Sequence, residues 1–182
     1  MIELDKESLI LYDENNYTLD STDNIRMYNN FYYGVNCNKS NVVTKIGIRY
    51  TVTGTNILLM ATGGASGLHD TCYVIDQDNL IICVSDSIFS INIIDLSPNW
   101  VIQGDSASCI QLFKTNDIYI VHGELGVSAI TSSGEILWCF RGRDIFVTPD
   151  GRYKFQIVDN KIYLTDWERN EYVLDLEGNL IN

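Results

Sequence analysis

The sequence predicts an all-β protein made of three to four antiparallel four-stranded sheets, and three observations support this. Apolar runs of four to six residues, rich in Ile, Val, Tyr and Phe, end at Asp, Asn, Gly or Ser, which is typical of strands separated by turns. Helical periodicity is almost absent. In addition, the chain contains an internal repeat whose period is that of one small sheet.

The repeat is marked by tryptophan and glycine. A shift of 38 residues carries Trp100 to Trp138 and Gly104 to Gly142, and a further shift of 36 carries Gly142 to Gly178. Self-similarity at such a period indicates stacked structural units. We therefore predict three copies, at residues 70–106, 107–144 and 145–182.

Each copy contains four strand-like runs separated by turn residues. In the first copy the runs are 72–76, 80–84, 88–91 and 100–102. In the second copy they are 108–113, 118–122, 127–131 and 136–140. The third copy is slightly compressed, with runs at 145–147, 153–158, 162–165 and 172–176 and a turn at Pro149-Asp150-Gly151. Four antiparallel strands at this spacing are typical of propeller blades.

The copies resemble the blades of the quinoprotein-like and WD-repeat propeller superfamily over residues 70–182. The resemblance rests on the segment 136–142, Ile-Leu-Trp-Cys-Phe-Arg-Gly, and on the segment 159–166, Asp-Asn-Lys-Ile-Tyr-Leu-Thr-Asp. The Gly-His and Trp-Asp pairs of WD repeats are missing, and quinone binding is not implied. The run 63–69 with His122-Gly123-Glu124 also resembles an uncharacterised bacterial propeller-like family, which implies no activity.

The first 70 residues are predicted to supply a fourth sheet, because strand-like runs lie at 31–36, 42–50 and 56–61. Three blades cannot close a ring, whereas four blades of 40 to 45 residues need about 160 to 180 residues. The 182 residues fit one domain with a small or incomplete β-propeller. An open arc of blades, a β-sandwich and closure by a dimer through an exposed sheet edge stay open as alternatives.

Composition and charge exclude several classes of protein. Of the 182 residues 46% are apolar, and 24 acidic against 12 basic residues give a net charge of -12. Such a surface repels phosphates, so we expect no nucleic-acid and no membrane partner. The acidic segment 1–7 carries no export signal. Five cysteines without a C-x-x-C pair are typical of reduced core residues, which predicts a cytoplasmic location.

Strand order predicts that functional loops converge on one face. In an up-and-down sheet, the loop entering the first strand and the loop joining the second to the third lie at the same end. These loops hold both histidines, and the third copy contributes the loop 159–160, whereas 168–171 falls at the opposite end. We predict a ligand- or partner-binding surface there. Its candidate residues are His69, Asp70, Asp86, Asp105, His122, Glu124, Arg143 and Asp144.

No complete catalytic set is visible, so we expect no catalytic residues, no bound metal and no other cofactor. The alternative is a metal-assisted hydrolase, because His69, His122 and Glu124 are ligand types that suit zinc or iron. Ser66 and Asp70 lie nearby in the sequence. The glycine-rich run 63–67 would let a ligand approach the backbone, but it lacks the lysine and the spacing of phosphate-binding loops.

We therefore expect a non-enzymatic binding protein with a protein partner. Its most specific version is an acidic inhibitor, such as an immunity protein against a basic toxin, because opposite charges accelerate capture. A module that forms a homodimer through its sheet edge is a further alternative.

Overall fold

The computed structural model describes residues 1–4, 8–147 and 155–181. All regular elements in these ranges are strands, and they form four sheets. No helix in the described part of the chain is long and apolar enough to cross a membrane.

The first sheet contains β1 (Ile2–Leu4), β2 (Leu9–Asp13), β3 (Asn30–Tyr33), β4 (Thr44–Tyr50) and β5 (Asn56–Ala61), in the order β1-β2-β4-β5-β3. The pairing is antiparallel except between β3 and β5. The second sheet contains β6 (Tyr73–Asp76), β7 (Asn79–Val84), β8 (Ser87–Asn92) and β9 (Pro98–Gln103). The additional sheet predicted for the first 70 residues is therefore present. The four-stranded unit predicted for the first copy of the repeat is present as well.

The third sheet contains β10 (Cys109–Thr115), β11 (Ile118–Gly123), β12 (Val127–Thr131) and β13 (Ile136–Phe140). The last sheet has β14 (Gln156–Val158), β15 (Lys161–Thr165) and β16 (Glu171–Asp175). In the second, third and last sheets, strands that follow each other in sequence pair antiparallel.

Each sheet packs its faces on the sheets beside it, because both faces of the central strands are apolar. The first and second sheets share a core that includes Ile48 and Ile82, and the second and third share one that includes Cys83 and Val121. The third and last sheets enclose Ile120 and Leu164. Consecutive apolar residues of one strand thus serve two different cores, which explains why these strands are apolar runs rather than alternating patterns.

The far face of the first sheet is covered by its own connections. Leu58 and Met60 of β5 point away from the second sheet and pack with Tyr17 and Tyr28, which lie between β2 and β3. The hydroxyl of Tyr28 donates to Glu14 at 2.6 Å. This covering explains why the connection between β2 and β3 contains Tyr17 and Tyr28.

The last sheet differs from the predicted third copy. Residues 145–147 are not a strand, and the predicted turn at 149–151 lies outside the described residues. The indole Nε1–H of Trp100 donates to the Ser132 carbonyl at 2.9 Å, and that of Trp138 donates to the Leu176 carbonyl at 2.9 Å. Ser132 follows β12, the third strand of its sheet, and Leu176 follows β16 in the same way. β16 is therefore the third strand of the last sheet.

Glycine and strand pairing give the same correction. Gly134 and Gly178 both have positive φ and lie against the Trp100 and Trp138 rings, respectively. The step from the third to the last sheet is therefore 44 residues, not 36. The pair Leu174 and Leu180 repeats the pair Ile130 and Ile136 at the start of the fourth strand. The sequence shift was wrong because it matched Gly178 to Gly142, which occupies a different structural position.

Candidate functional site

The loops at one end of the sheets are joined by backbone hydrogen bonds. We call this surface the loop face and define it as residues 62–72, 85–86, 104–108, 123–126, 141–147 and 166–170. Its hydrogen bonds run from sheet to sheet: Gly64 N to Ala107 O, Cys109 N to Ser85 O, Glu124 N to Ser108 O, Phe146 N to Glu124 O, and Trp167 N to Ile145 O, all between 2.6 and 2.8 Å. Segment 145–147 is thus held by bonds to loops and not by a strand partner.

A cavity of about 380 Å³ opens on the loop face. Its polar lining includes Ser66, His69, Thr71, Ser108 and Glu124, and its apolar lining includes Ile110, Ile145 and Val147. His69 and Glu124, which are 55 positions apart in the sequence, therefore line the same cavity.

The electrostatics of the cavity are negative. The Glu124 carboxylate is partly exposed and makes no hydrogen bond or ion pair with the described residues, although its backbone N–H and carbonyl are both bonded. Burial lowers the pKa of His69, and the Ile110 carbonyl offsets only part of that effect. The His69 ring is therefore neutral at pH 7, so Glu124 is the one charged side chain among the described residues that line the cavity, and several hydroxyl groups accompany it.

His69 and His122 belong to one polar chain. The Nδ1 atom of His69 lies 3.1 Å from Thr71 Oγ1, and the Gln111 amide donates to that same oxygen at 3.2 Å. Gln111 Oε1 lies 2.9 Å from His122 Nδ1. Both histidines thus lie at the same end of the sheets, but only His69 reaches the cavity.

His122 is a core residue. It is 1% exposed, its ring stacks on Phe155 at 4.7 Å, and its Nε2 lies 3.2 Å from the Phe146 carbonyl oxygen. Burial lowers the pKa of His122 to about 4, and the Phe146 carbonyl offsets this only in part. The prediction that His122 touches a partner is corrected here, because the neutral, enclosed ring supports the loop face from beneath.

The predictions that Asp86 and Asp105 contact a partner are corrected as well, because both side chains are buried. Asp86 is 2% exposed and accepts hydrogen bonds from Ser87 Oγ and Gln103 Nε2. Asp105 is 8% exposed and accepts from the backbone N–H groups of Ala107 and Leu125. Asp86 thus joins two strands of the second sheet, whereas Asp105 joins the second sheet to a loop of the third, and a partner cannot reach either carboxylate in this arrangement.

The remaining predicted residues are accessible. Asp70 and Arg143 are exposed, and Asp144 is half-buried with one oxygen accepting from the Ile145 N–H. The loop 159–160, in contrast, joins the first and second strands of the last sheet and therefore lies at the opposite end. The loop 166–170 takes its place on the loop face.

Sequence reasoning missed Asp166. This residue is fully buried, and its carboxylate accepts hydrogen bonds from the Tyr172 hydroxyl at 2.8 Å and from the Asn170 backbone N–H at 2.8 Å. A signal was present, because the spacing Asp-x-x-x-Asn occurs again at Asp175 and Asn179, where the same turn bond forms.

The glycine-rich run has a packing role. At Gly63, where φ is +121°, an added Cβ would lie 2.5 Å from the Ala107 carbonyl oxygen and 2.8 Å from Asp86 Cβ. At Gly64 an added Cβ would lie 2.2 Å from Ser108 Oγ. The glycines therefore let the first connection approach the second and third sheets, which accounts for them without a phosphate or other ligand.

Gly63→Ala is expected to lower the free energy of unfolding by about 2 kcal/mol, because it combines backbone strain with a contact to main chain. Gly67→Ala is the matched control, since an added Cβ there meets nothing within 4 Å and its φ is not positive. We expect the control to change stability by less than about 0.5 kcal/mol in urea unfolding. Equal effects of the two variants would contradict the packing role.

The part of the chain that the structure describes provides no ligand set for the metal-assisted hydrolase. In the described ranges, no group of three or more His, Cys, Asp or Glu side chains is arranged to hold a metal ion. His122 points its two ring nitrogens at Gln111 and Phe146 and not toward His69 and Glu124.

Comparison with known proteins identifies the fold. No protein-family model and no curated protein matches the sequence. The structure is similar to the computationally designed Ika4 protein, with 11% identity, 66% of this chain and 75% of that chain covered, and a TM-score of 0.51. It is also similar to BamB from Moraxella catarrhalis (17% identity, 76% and 42% covered, TM-score 0.50) and to the WD40 beta propeller domain of Doa1 (10% identity, 76% and 46% covered, TM-score 0.50).

These similarities define the class of protein. The four consecutive sheets and the propeller neighbours confirm the predicted all-β fold, that of a small or incomplete β-propeller. It spans less than half the length of BamB and of the Doa1 domain. At this level of identity the comparison establishes the fold alone.

Proposed function

We propose that this protein is a non-enzymatic, cytoplasmic interaction module that binds a basic protein partner through the loop face. The partner inserts a lysine or arginine side chain into the cavity, where it pairs with Glu124. In the most specific form of this proposal, the module is an acidic inhibitor of the immunity type and its partner is a basic toxin.

The observation that carries the proposal is that, among the described residues, the Glu124 carboxylate has no hydrogen-bond or ion-pair partner and the cavity lining contains no basic side chain. The neutral His69 ring and the hydroxyls of Ser66, Thr71 and Ser108 supply hydrogen-bond partners around it. A lysine ammonium or an arginine guanidinium needs several acceptors and gains most from a carboxylate in a partly enclosed site. The net charge of -12 adds long-range attraction for a basic partner.

The binding test uses affinity capture from an extract of the source cells with the wild-type protein and two charge-reversal variants. Glu124→Lys places a cation in the cavity, and we expect at least a tenfold loss of the captured basic protein. Asp23→Lys makes the same change of net charge on an exposed residue that follows the first sheet's β2. This control should retain the partner almost fully.

Salt supplies the second criterion. The interaction should weaken several-fold between 0.05 and 0.5 M NaCl as a rough range, because screening reduces attraction between exposed charges. The proposal fails if no basic protein is captured, or if Glu124→Lys and Asp23→Lys reduce capture equally, since equal loss would mean that only net charge matters.

A further inference from the structure

A second cavity of about 470 Å³ lies at the end opposite the loop face, between the third and last sheets. We call it the end groove. It is lined by Asn116, Asp117, Ile118, Leu137, Trp138, Leu176 and Glu177. Trp138 forms its base, because its ring lies against Gly178 and its Nε1–H donates to the Leu176 carbonyl.

The same position between the second and third sheets is polar. Asn99 stands there before Trp100, just as Leu137 stands before Trp138. The Asn99 amide donates to Asn79 Oδ1 at 2.8 Å and to Ser90 Oγ at 3.2 Å. The architecture therefore accepts a hydrogen-bonded polar residue at this place, and packing within the sheets does not require a leucine.

The residue after the third strand also changes from polar to apolar between the two positions. The carbonyl that accepts from Trp100 belongs to Ser132, whereas the one that accepts from Trp138 belongs to Leu176. Leu137 is 53% exposed, and Leu176, which lines the same groove, is half-buried. Exposed aliphatic side chains that line one groove gain free energy when a partner covers them.

Charge distinguishes between possible occupants. The lining contains Asp117 and Glu177 and no basic residue, and the exposed Glu135 lies in the turn before β13. A second copy of this chain would bring like charges together, because a two-fold interface places the same patch on both sides. A segment with basic residues meets no such repulsion.

We propose that the end groove binds an extended segment of a partner protein in which an aliphatic side chain is flanked by lysine or arginine. The aliphatic side chain packs against Leu137 and Leu176, and the basic neighbours pair with Asp117 and Glu177. This site is separate from the loop face, and the proposal does not depend on the role of Glu124.

The experiment measures binding of three capped pentapeptides to the full chain by ¹H–¹⁵N NMR. Their sequences are Lys-Lys-Leu-Lys-Lys, Lys-Lys-Ala-Lys-Lys and Glu-Glu-Leu-Glu-Glu. We expect the first peptide to shift the amide signals of Leu137, Leu176 and Glu177 with saturation. The alanine and glutamate peptides should bind at least tenfold more weakly, because one lacks the apolar contact and the other carries the wrong charge.

Leu137→Asn is the decisive variant, since it installs the residue found at the equivalent place before Trp100. It should reduce binding of the first peptide at least tenfold and leave the thermal midpoint nearly unchanged, because Leu137 is half-exposed. Glu124→Lys should leave this binding within twofold. The inference is overturned if the leucine and alanine peptides bind equally, if Leu137→Asn has no effect, or if the protein itself dimerises and Leu137→Asn abolishes the dimer.

Discussion

We expect His122→Ala to lower the free energy of unfolding by about 3 kcal/mol at pH 7. The substitution removes a stacked ring from the core and the single N–H of the neutral imidazole, which donates to one of its two neighbouring oxygens, Gln111 Oε1 or the Phe146 carbonyl. Loss of buried volume and loss of one buried hydrogen bond each cost about 1 to 3 kcal/mol. Urea unfolding with a constant slope gives the difference directly.

We also expect the wild-type protein to lose stability as the pH falls from 6.5 toward 4, because His122 must be protonated in this range on unfolding. Its pKa is about 4 in the folded state and 6.5 as the model value for the unfolded chain. Between these values the unfolded chain binds the proton and the folded one does not, so acidification favours unfolding. The contribution is fully present above pH 6.5 and falls by on the order of 3 kcal/mol toward pH 4.

The control for the pH effect is the second histidine. His69→Ala should retain most of the decline between pH 6.5 and 4.5, because His69 is only half-buried, whereas His122→Ala should lose it. If His122→Ala does not fold, NMR titration of the wild-type ring signals measures the same quantity. A folded-state pKa near 6.5 for His122 would contradict its placement as a buried neutral ring.

The sequence was informative where repeats are anchored by tryptophan. The 38-residue step holds because Trp100 and Trp138 occupy the same place next to matching irregularities in the pairing of β8 with β9 and of β12 with β13. The repeat gave the order of the strands in each copy, and this order correctly placed the loops of the second and third sheets at one end. Local pattern and tertiary packing agree in this region.

The last sheet was not predictable in the same way. No tryptophan marks its described part at the equivalent place, and the connection before β14 is longer than the one before β10. The glycine at 178 fits two alignments, and the indole contacts and the strand pairing of Leu174 with Leu180 separate them. Likewise, the sequence brought Asp86, Asp105 and His122 to the correct end, but burial depends on which loops cover them. That is a property of packing between sheets.

Gly178→Ala is expected to cost about 3 kcal/mol of stability, and it tests the 44-residue step. The residue has φ +82°, and an added Cβ would lie 2.4 Å from Cδ2 of Trp138. Left-handed backbone costs a non-glycine residue about 1 to 2 kcal/mol. The ring cannot move away freely, because its Nε1–H is bonded to the Leu176 carbonyl. Displacing it adds a further cost of about 1 to 2 kcal/mol.

Gly134→Ala should behave like Gly178→Ala, because an added Cβ would lie 2.7 Å from Cδ2 of Trp100 at φ +86°. Gly54→Ala isolates the backbone term, since its φ is +75° and nothing lies within 4 Å of the added atom. We expect a loss of about 1 kcal/mol there. Thermal or urea unfolding of the three variants should therefore give two large losses and one small one. A small loss for Gly178→Ala beside a large one for Gly134→Ala would show that Gly178 does not occupy the position of Gly134.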